Sequence, residues 1–136
     1  MKTFRDVQQM AIELGFIPEN VDADKELFTI TDLDRGMNNL VIDCEDPILV
    51  LEQVLFPCSA NSSSVYHSDV CQRLLVMNRD LVHGAYTYNV ELEVVTWRDT
   101  LRLESLDVCE LQGSINALSL ALWEHGDELL DMAYSE

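Results

Sequence analysis

The run LLVMNRDLVHGAYTYNVELEVV, residues 74–95, constrains the chain more than any other, because its hydrophobic period changes at Gly84 from that of a helix to that of a strand. Upstream, Val70, Leu74, Met77 and Leu81 recur at helical spacing with Val82 beside them, and Ser68 or Asp69 can cap the helix they define. Gly84 stands where helices end on a left-handed residue, and His83 would face the negative end of the helix dipole. Downstream, Tyr86, Tyr88, Val90, Leu92 and Val94 alternate with Thr87, Asn89, Glu91 and Glu93. A reversal at Arg98-Asp99 would set Val94 across from Leu103 and Thr96 across from Leu101, although it lacks the Gly or Asn that tight hairpins prefer. A helix docked on a pair of strands is expected.

The flanking sequence extends this pattern. Thr3 and Asp6 mark a helix start, with Phe4, Val7, Met10, Ala11 and Leu14 as its apolar face and Gly15 as its stop. Residues 18–26 are polar and acidic and read as a connection. Phe28 and Ile30 alternate with Thr29 and Thr31, and Leu40, Ile42 and Cys44 share a face after the turn-forming RGMNN. Asp46-Pro47 separates these from ILVLEQVLF, a strand apolar on both faces and so covered on both sides, in part by another subunit. PCSANSSSVYH, residues 57–67, is a small-residue surface loop. A long final helix follows, with Leu111, Ile115, Leu118, Leu122, Leu129 and Met132 inward. Gly113 and Gly126 each weaken it by about 1 kcal/mol relative to Ala. Its last turns hold Glu124, Asp127, Glu128 and Asp131, where the dipole favours cations. The expected architecture is a single α+β domain over residues 1–136: an antiparallel sheet of about five strands with three helices in the order α-β-β-β-α-β-β-α.

Charge narrows the partners. Twenty-five acidic residues against eight basic ones give a formal charge of -17, which repels nucleic acid and anionic lipid. From Leu103 onward there are eight acids and no Lys or Arg, a surplus that favours a protein partner with basic stretches. No stretch has the roughly 18–20 apolar residues that span a bilayer. The first residues lack the apolar core of a signal peptide, and four scattered cysteines without a C-x-x-C pair fit reduced thiols in a cytoplasm.

Candidate chemistry is sparse. Asp22, Asp24 and Glu26 are spaced like the start of a calcium loop, but Leu27 stands where the sharp turn needs Gly and Leu33 where a bidentate Glu should close it. His67, His83 and His125 show no spacing that sets two of them on one face beside a thiol, so no metal or cofactor is expected. Without a G-x-S-x-G elbow, a Cys-His signature or a phosphate-cradling glycine loop, no catalytic residue is assigned and an enzyme is not expected. Cys58, the thiol placed on the loop, leaves a redox sensor or small enzyme as an alternative.

The element order, with the run leading from the middle helix through Asn78 and Gly84 into the next strand, resembles the bacterial type III secretion chaperones. VCQRLLVMNRDLVHGAYTYNVELE, WRDTLRLESL and the acidic closing helix are also similar to the uncharacterised YjfI-like family. The first resemblance implies a homodimer that binds another protein. The second implies a setting near membrane-stress proteins, hence the alternative of a regulatory accessory acting on a coat-forming membrane protein. Client-wrapping patches are not identifiable, because every strong apolar stripe can be spent on the core.

Burial is the default for Trp97 and Trp123, as tryptophans fill cores more often than they anchor interfaces. Val95 and Trp97, however, lie on the strand face opposite the Tyr86 to Val94 stripe. That places them outward, beside covered Leu101 and Leu103. Val95, Trp97, Arg102 and Glu104 are therefore the expected protein-binding residues of a cytoplasmic, non-enzymatic, homodimeric binding protein.

Overall fold

Thr3 starts the first helix, α1 (Phe4–Glu13), by a reciprocal cap: its hydroxyl accepts from the Asp6 N–H at 3.2 Å, and its own N–H donates to the Asp6 carboxylate at 2.9 Å. Gly15 then takes φ +94° and ends it. The computed structural model describes residues 1–59 and 64–134. After α1 come β1 (Glu19–Asp22), β2 (Leu27–Asp32), β3 (Met37–Glu45), β4 (Ile48–Pro57), α2 (Ser64–Met77), β5 (Ala85–Asn89), β6 (Val94–Arg102) and α3 (Val108–Tyr134). The strands form one antiparallel sheet in the order β1-β2-β3-β4-β6-β5.

The α+β class and the order of the three helices follow the sequence reading, but the sheet has six strands rather than five. The extra one, β1, lies in the acidic connection. It is almost wholly exposed and has no buried side chain to give it a period of two. Instead, Asn20 Nδ2 donates to Thr29 Oγ1 at 2.9 Å, and Asp22 Oδ1 accepts from the N–H groups of Asp24 and Lys25. The Asp22 carboxylate, considered as a calcium ligand, is thus occupied in closing a hairpin turn.

The middle helix begins at Ser64, ahead of the expected cap at Ser68 or Asp69, so it claims the end of the predicted loop. Residues 60–63 of that loop lie outside the described residues. The helix also stops early. After Met77 the chain makes a 3-10 turn over Asn78–Asp80, leaving Leu81 half-buried and Val82 and His83 exposed. Asn78 provides the reason: its Oδ1 accepts from the Tyr86 N–H at 2.7 Å and its Nδ2 donates to the Tyr86 carbonyl at 3.2 Å. One side chain therefore stands where a further strand would pair with β5. Gly84, with φ +76°, is the turn residue entering β5, not a helix cap.

The hairpin also differs. The chain reverses at residues 90–93, where Asn89 Oδ1 accepts from the Leu92 N–H and Glu93 takes φ +53°, so exposed Val90 and Leu92 belong to the turn. β6 runs straight through Arg98-Asp99, pairing Tyr86 with Trp97 and Tyr88 with Val95 on one side and Gln53 with Trp97 on the other. Without a turn there, the period of two puts Val95, Trp97, Asp99 and Leu101 on a single face. That face is the covered one. Val95 and Trp97 are 0% exposed, which corrects their expected outward placement.

On this face, Phe28, Ile30, Leu40, Ile42, Leu49, Leu51, Val95 and Trp97 meet the inward stripes of all three helices in one core. Val70, Leu74 and Met77 of α2, and Leu111, Ile115, Leu118, Leu129 and Met132 of α3, are buried as expected, while Leu122 is half-buried. Ser114 Oγ of α3 donates to the Asp99 carboxylate at 2.7 Å. The opposite sheet face carries Thr29, Asp43, Val50, Glu52 and Thr96. Val50 is buried there without joining the core, between Asp43 of β3 and Thr100 of β6.

Two measurements test this arrangement. A Cβ at residue 84 would lie 2.5 Å from Trp97 Cε2 and Cζ2, on a backbone side chains rarely adopt. Gly84→Ala should therefore lose about 2–5 kcal/mol in urea unfolding. The second concerns Asp43, whose Oδ1 is buried without a partner and whose pKa is raised to about 6, first by burial and then by the hydrogen bond and charge of Glu45. The folded state holds this proton more tightly than the unfolded chain does. Stability relative to Asp43→Asn should therefore fall as pH rises from about 4 to about 6, and Asp43→Asn should have the higher melting temperature at about pH 7.5.

Candidate functional site

The long helix α3 has two apolar stripes. The inner one fills the core. The outer one, Leu120, Trp123, Leu130 and Tyr134, is 50%, 83%, 56% and 84% exposed. With Asp127 between them, these residues recur at intervals of three, four, three and four, the a/d spacing of a helix seam. Trp123, expected to be buried, lies at the middle of its exposed upper half.

Beside this seam run two hollows of about 590 and 350 Å³ that share Gly36 and Leu122. Leu33, Leu120 and Trp123 line the first, and Val54, Leu55, Leu130 and Ala133 the second. Local structure puts these groups together. Between Val54 and Phe56 the β4–β6 register shifts, so the consecutive residues Val54 and Leu55 border the same hollow. The buried Gln53 accepts from the Asn38 N–H at 3.0 Å and donates to the Gly36 carbonyl at 3.3 Å, holding the turn that forms the floor. Arg35 fixes the other wall: it bridges Asp32 at 3.5 Å, donates to Asn116 of α3 at 3.4 Å and lies over the Phe16 ring.

The α3 acids are partly compensated. Arg73 of α2 makes a two-nitrogen bridge to Glu128. Among the described residues Glu124 and Asp127 form no ion pair. On the inner side, His125 is buried between the Tyr86 hydroxyl, 2.6 Å from Nδ1, and the Asp80 carboxylate, 3.3 Å from Nε2. A carboxylate accepts, so Nε2 carries a proton toward Asp80, and in the neutral imidazole Nδ1 is then the acceptor for the Tyr86 hydroxyl. Burial, reinforced by Glu124, Asp80 and Glu128, pushes the Tyr86 hydroxyl well above its ordinary pKa. It stays neutral and fastens α3 to β5.

The expected binding residues divide. Val95 and Trp97 lie inside, while Arg102 and Glu104 are exposed at the end of β6 and just beyond it. The α3 seam was not expected from the sequence: the inward stripe leaves out Leu120, Trp123 and Leu130, but Trp123 was assigned to burial by residue type and the three were not read together as a second stripe. Their three-and-four spacing around Asp127 was the available signal.

Cys58 does not lie free on a loop. It is 0% exposed, with its Sγ 3.7 Å from His67 Nδ1, while Cys71 Sγ lies 3.7 Å from His67 Nε2. The structure thus brings one histidine beside two thiols, a grouping that sequence spacing did not show. The thiols approach opposite ring nitrogens and so do not converge on one metal position. The exposed thiol is Cys109, at the start of α3. Burial, then the charges of Glu26, Asp43 and Glu45, pushes Cys44 up to about 11.

The chain matches the family CesT_Tir_1 over residues 1–135. It belongs to that family. Solved structures share the fold. YbjN of E. coli, described as a putative transcription regulator, aligns with a TM-score of 0.69 at 12% identity over 93% of each chain. The HopA1–SchA chaperone–effector complex aligns at 0.57 and 15% identity over 90% of this chain and 91% of the other. The ExsC–ExsE complex aligns at 0.56 and 9% identity over 87% and 89%. Likeness at these identities is one of fold, and that fold is type III chaperone-like. No curated protein sequence matches. For this CesT_Tir_1 member, family and fold support a protein-binding, chaperone-like role, and among the described residues no helix is long and apolar enough to cross a membrane.

The thiols provide a check on the burial pattern. Under native conditions Cys109 should react first with a thiol reagent, with Cys44 and Cys58 slowest. Peptide mapping that finds Cys58 modified first would contradict its burial.

Proposed function

We propose that this protein is a non-enzymatic, cytoplasmic binding protein that holds a segment of another protein along the outer face of α3. The observation that carries the reading is the seam of Leu120, Trp123, Leu130 and Tyr134, left exposed on a helix whose other face completes the core of a CesT_Tir_1 chain. Large exposed apolar side chains gathered on one face mark a contact surface more often than chance exposure. Arg102 and Glu104 form a second, polar part of the proposed surface. A homodimer belongs to this reading, as does a partner with basic stretches. The narrower YjfI-like affiliation, with its membrane-stress setting, rests on the runs quoted above and agrees with a basic partner, since α3 is acidic.

Site-specific photocrosslinking tests the surface. A crosslinker at residue 123 should capture a defined protein, identified by mass spectrometry, and one at residue 102 should capture it less. Purified, that protein should bind the wild-type chain and lose at least about tenfold in affinity for a Trp123→Ser, Leu130→Ser variant. Unchanged affinity would remove the α3 face from the proposal, and stronger capture from residue 102 would move the site to the end of β6. Sedimentation as a monomer at high concentration would remove the dimer.

A further inference from the structure

The occupant of the α3 seam can be specified from its geometry and charge. From Leu120 to Tyr134 the seam covers fifteen positions, roughly 21 Å of helix at 1.5 Å per residue. Its a/d spacing is the pattern that receives the apolar ridge of a second helix. Asp127 occupies the central position, and Glu124 lies one turn before it. Both are exposed and form no ion pair among the described residues. They sit in the last three turns of a 27-residue helix, where the dipole already disfavours negative charge. The free protein carries this repulsion, and a cation opposite Asp127 would relieve it.

The same geometry weighs against a second copy of this chain. Asp127 is the midpoint of the seam, so antiparallel pairing of two identical seams would bring Asp127 beside its own copy. Parallel pairing in register would do so as well. Either arrangement would also crowd the surrounding acids of both copies into one desolvated contact. Flanking Leu and Trp positions favour an apolar ridge, and the central carboxylate selects what interrupts it.

We infer that the α3 seam receives an amphipathic helix of another protein, one whose apolar ridge is broken at its centre by a Lys or Arg that pairs with Asp127. This rests on the reading of α3 as the binding face and adds the chemistry of the partner. Trp123 gives a direct signal, because the other tryptophan, Trp97, is already fully buried.

The test uses the full chain and two synthetic helical peptides about four turns long, identical in their Leu ridge, one with Lys and the other with Gln at the central ridge position. The Lys peptide should shift Trp123 emission to the blue and show binding in calorimetry that weakens with salt. Asp127→Asn should weaken the Lys peptide about tenfold and flatten its salt dependence, leaving the Gln peptide unaffected. Equal binding of both peptides, with Asp127→Asn without effect, would overturn the cationic partner while keeping α3 as the binding face. Failure of both peptides to bind would remove the inference together with the reading beneath it. Self-association that Trp123→Ser, Leu130→Ser abolishes would make a second copy the occupant and overturn the inference as well.

Discussion

The packing of Trp97 against the Gly84 backbone sets the geometry on which the rest of the sheet depends. The indole occupies the space a side chain at residue 84 would need. Gly84 can therefore be only glycine without displacement, and its positive φ carries the chain from the 3-10 turn into β5. Asn78 completes the junction from the other side by bonding both backbone groups of Tyr86. Together these contacts fix where α2 ends, how β5 meets β6, and which face of β6 lies under the helices. Cross-strand partners Tyr86, Trp97 and Gln53 form a continuous buried row as a result.

Helix α3 closes the core over that row, and its role follows from having two apolar stripes and one core to fill. Ser114 on Asp99 and His125 between Tyr86 and Asp80 fix its rotation. Once these buried polar groups are satisfied, turning the helix to hide Trp123 would expose Leu118 and break both contacts. Hydrogen bonds lost in a buried setting cost about 1–3 kcal/mol each. The outer stripe is therefore held in solvent by the demands of the inner one, and a fold otherwise spent on its core keeps a row of large apolar side chains exposed.

Much of this was legible in the sequence. Thr3 and Asp6 announced α1, and the stripes Val70–Leu74–Met77 and Leu111–Ile115–Leu118 lie where helical spacing put them. These features depend on neighbours a few residues apart, which periodicity records. The failures share a different cause. β1 is an exposed edge strand with no apolar face, and the turn at residues 90–93 contains two apolar residues that extend the alternating pattern past the strand's real end. The turn placed at Arg98-Asp99 reversed the sense of the face, and so Val95 and Trp97 were assigned outward. A period of two states which residues share a side, but not which side is covered.

The sequence by itself determined the three helices and the order of every strand but β1, the α+β class and the surplus of negative charge, because each follows from local spacing or composition. Only the tertiary structure decided that Trp97 lies inside and Trp123 outside, that Cys58 is enclosed with His67, and that a row of large apolar side chains on α3 has no place in the core. Those outcomes turn on contacts between segments distant in the chain: Gly84 with Trp97, Ser114 with Asp99, Tyr86 with His125. Burial is a property of such contacts, and two tryptophans of the same intrinsic hydrophobicity take opposite positions according to which of them the sheet can cover.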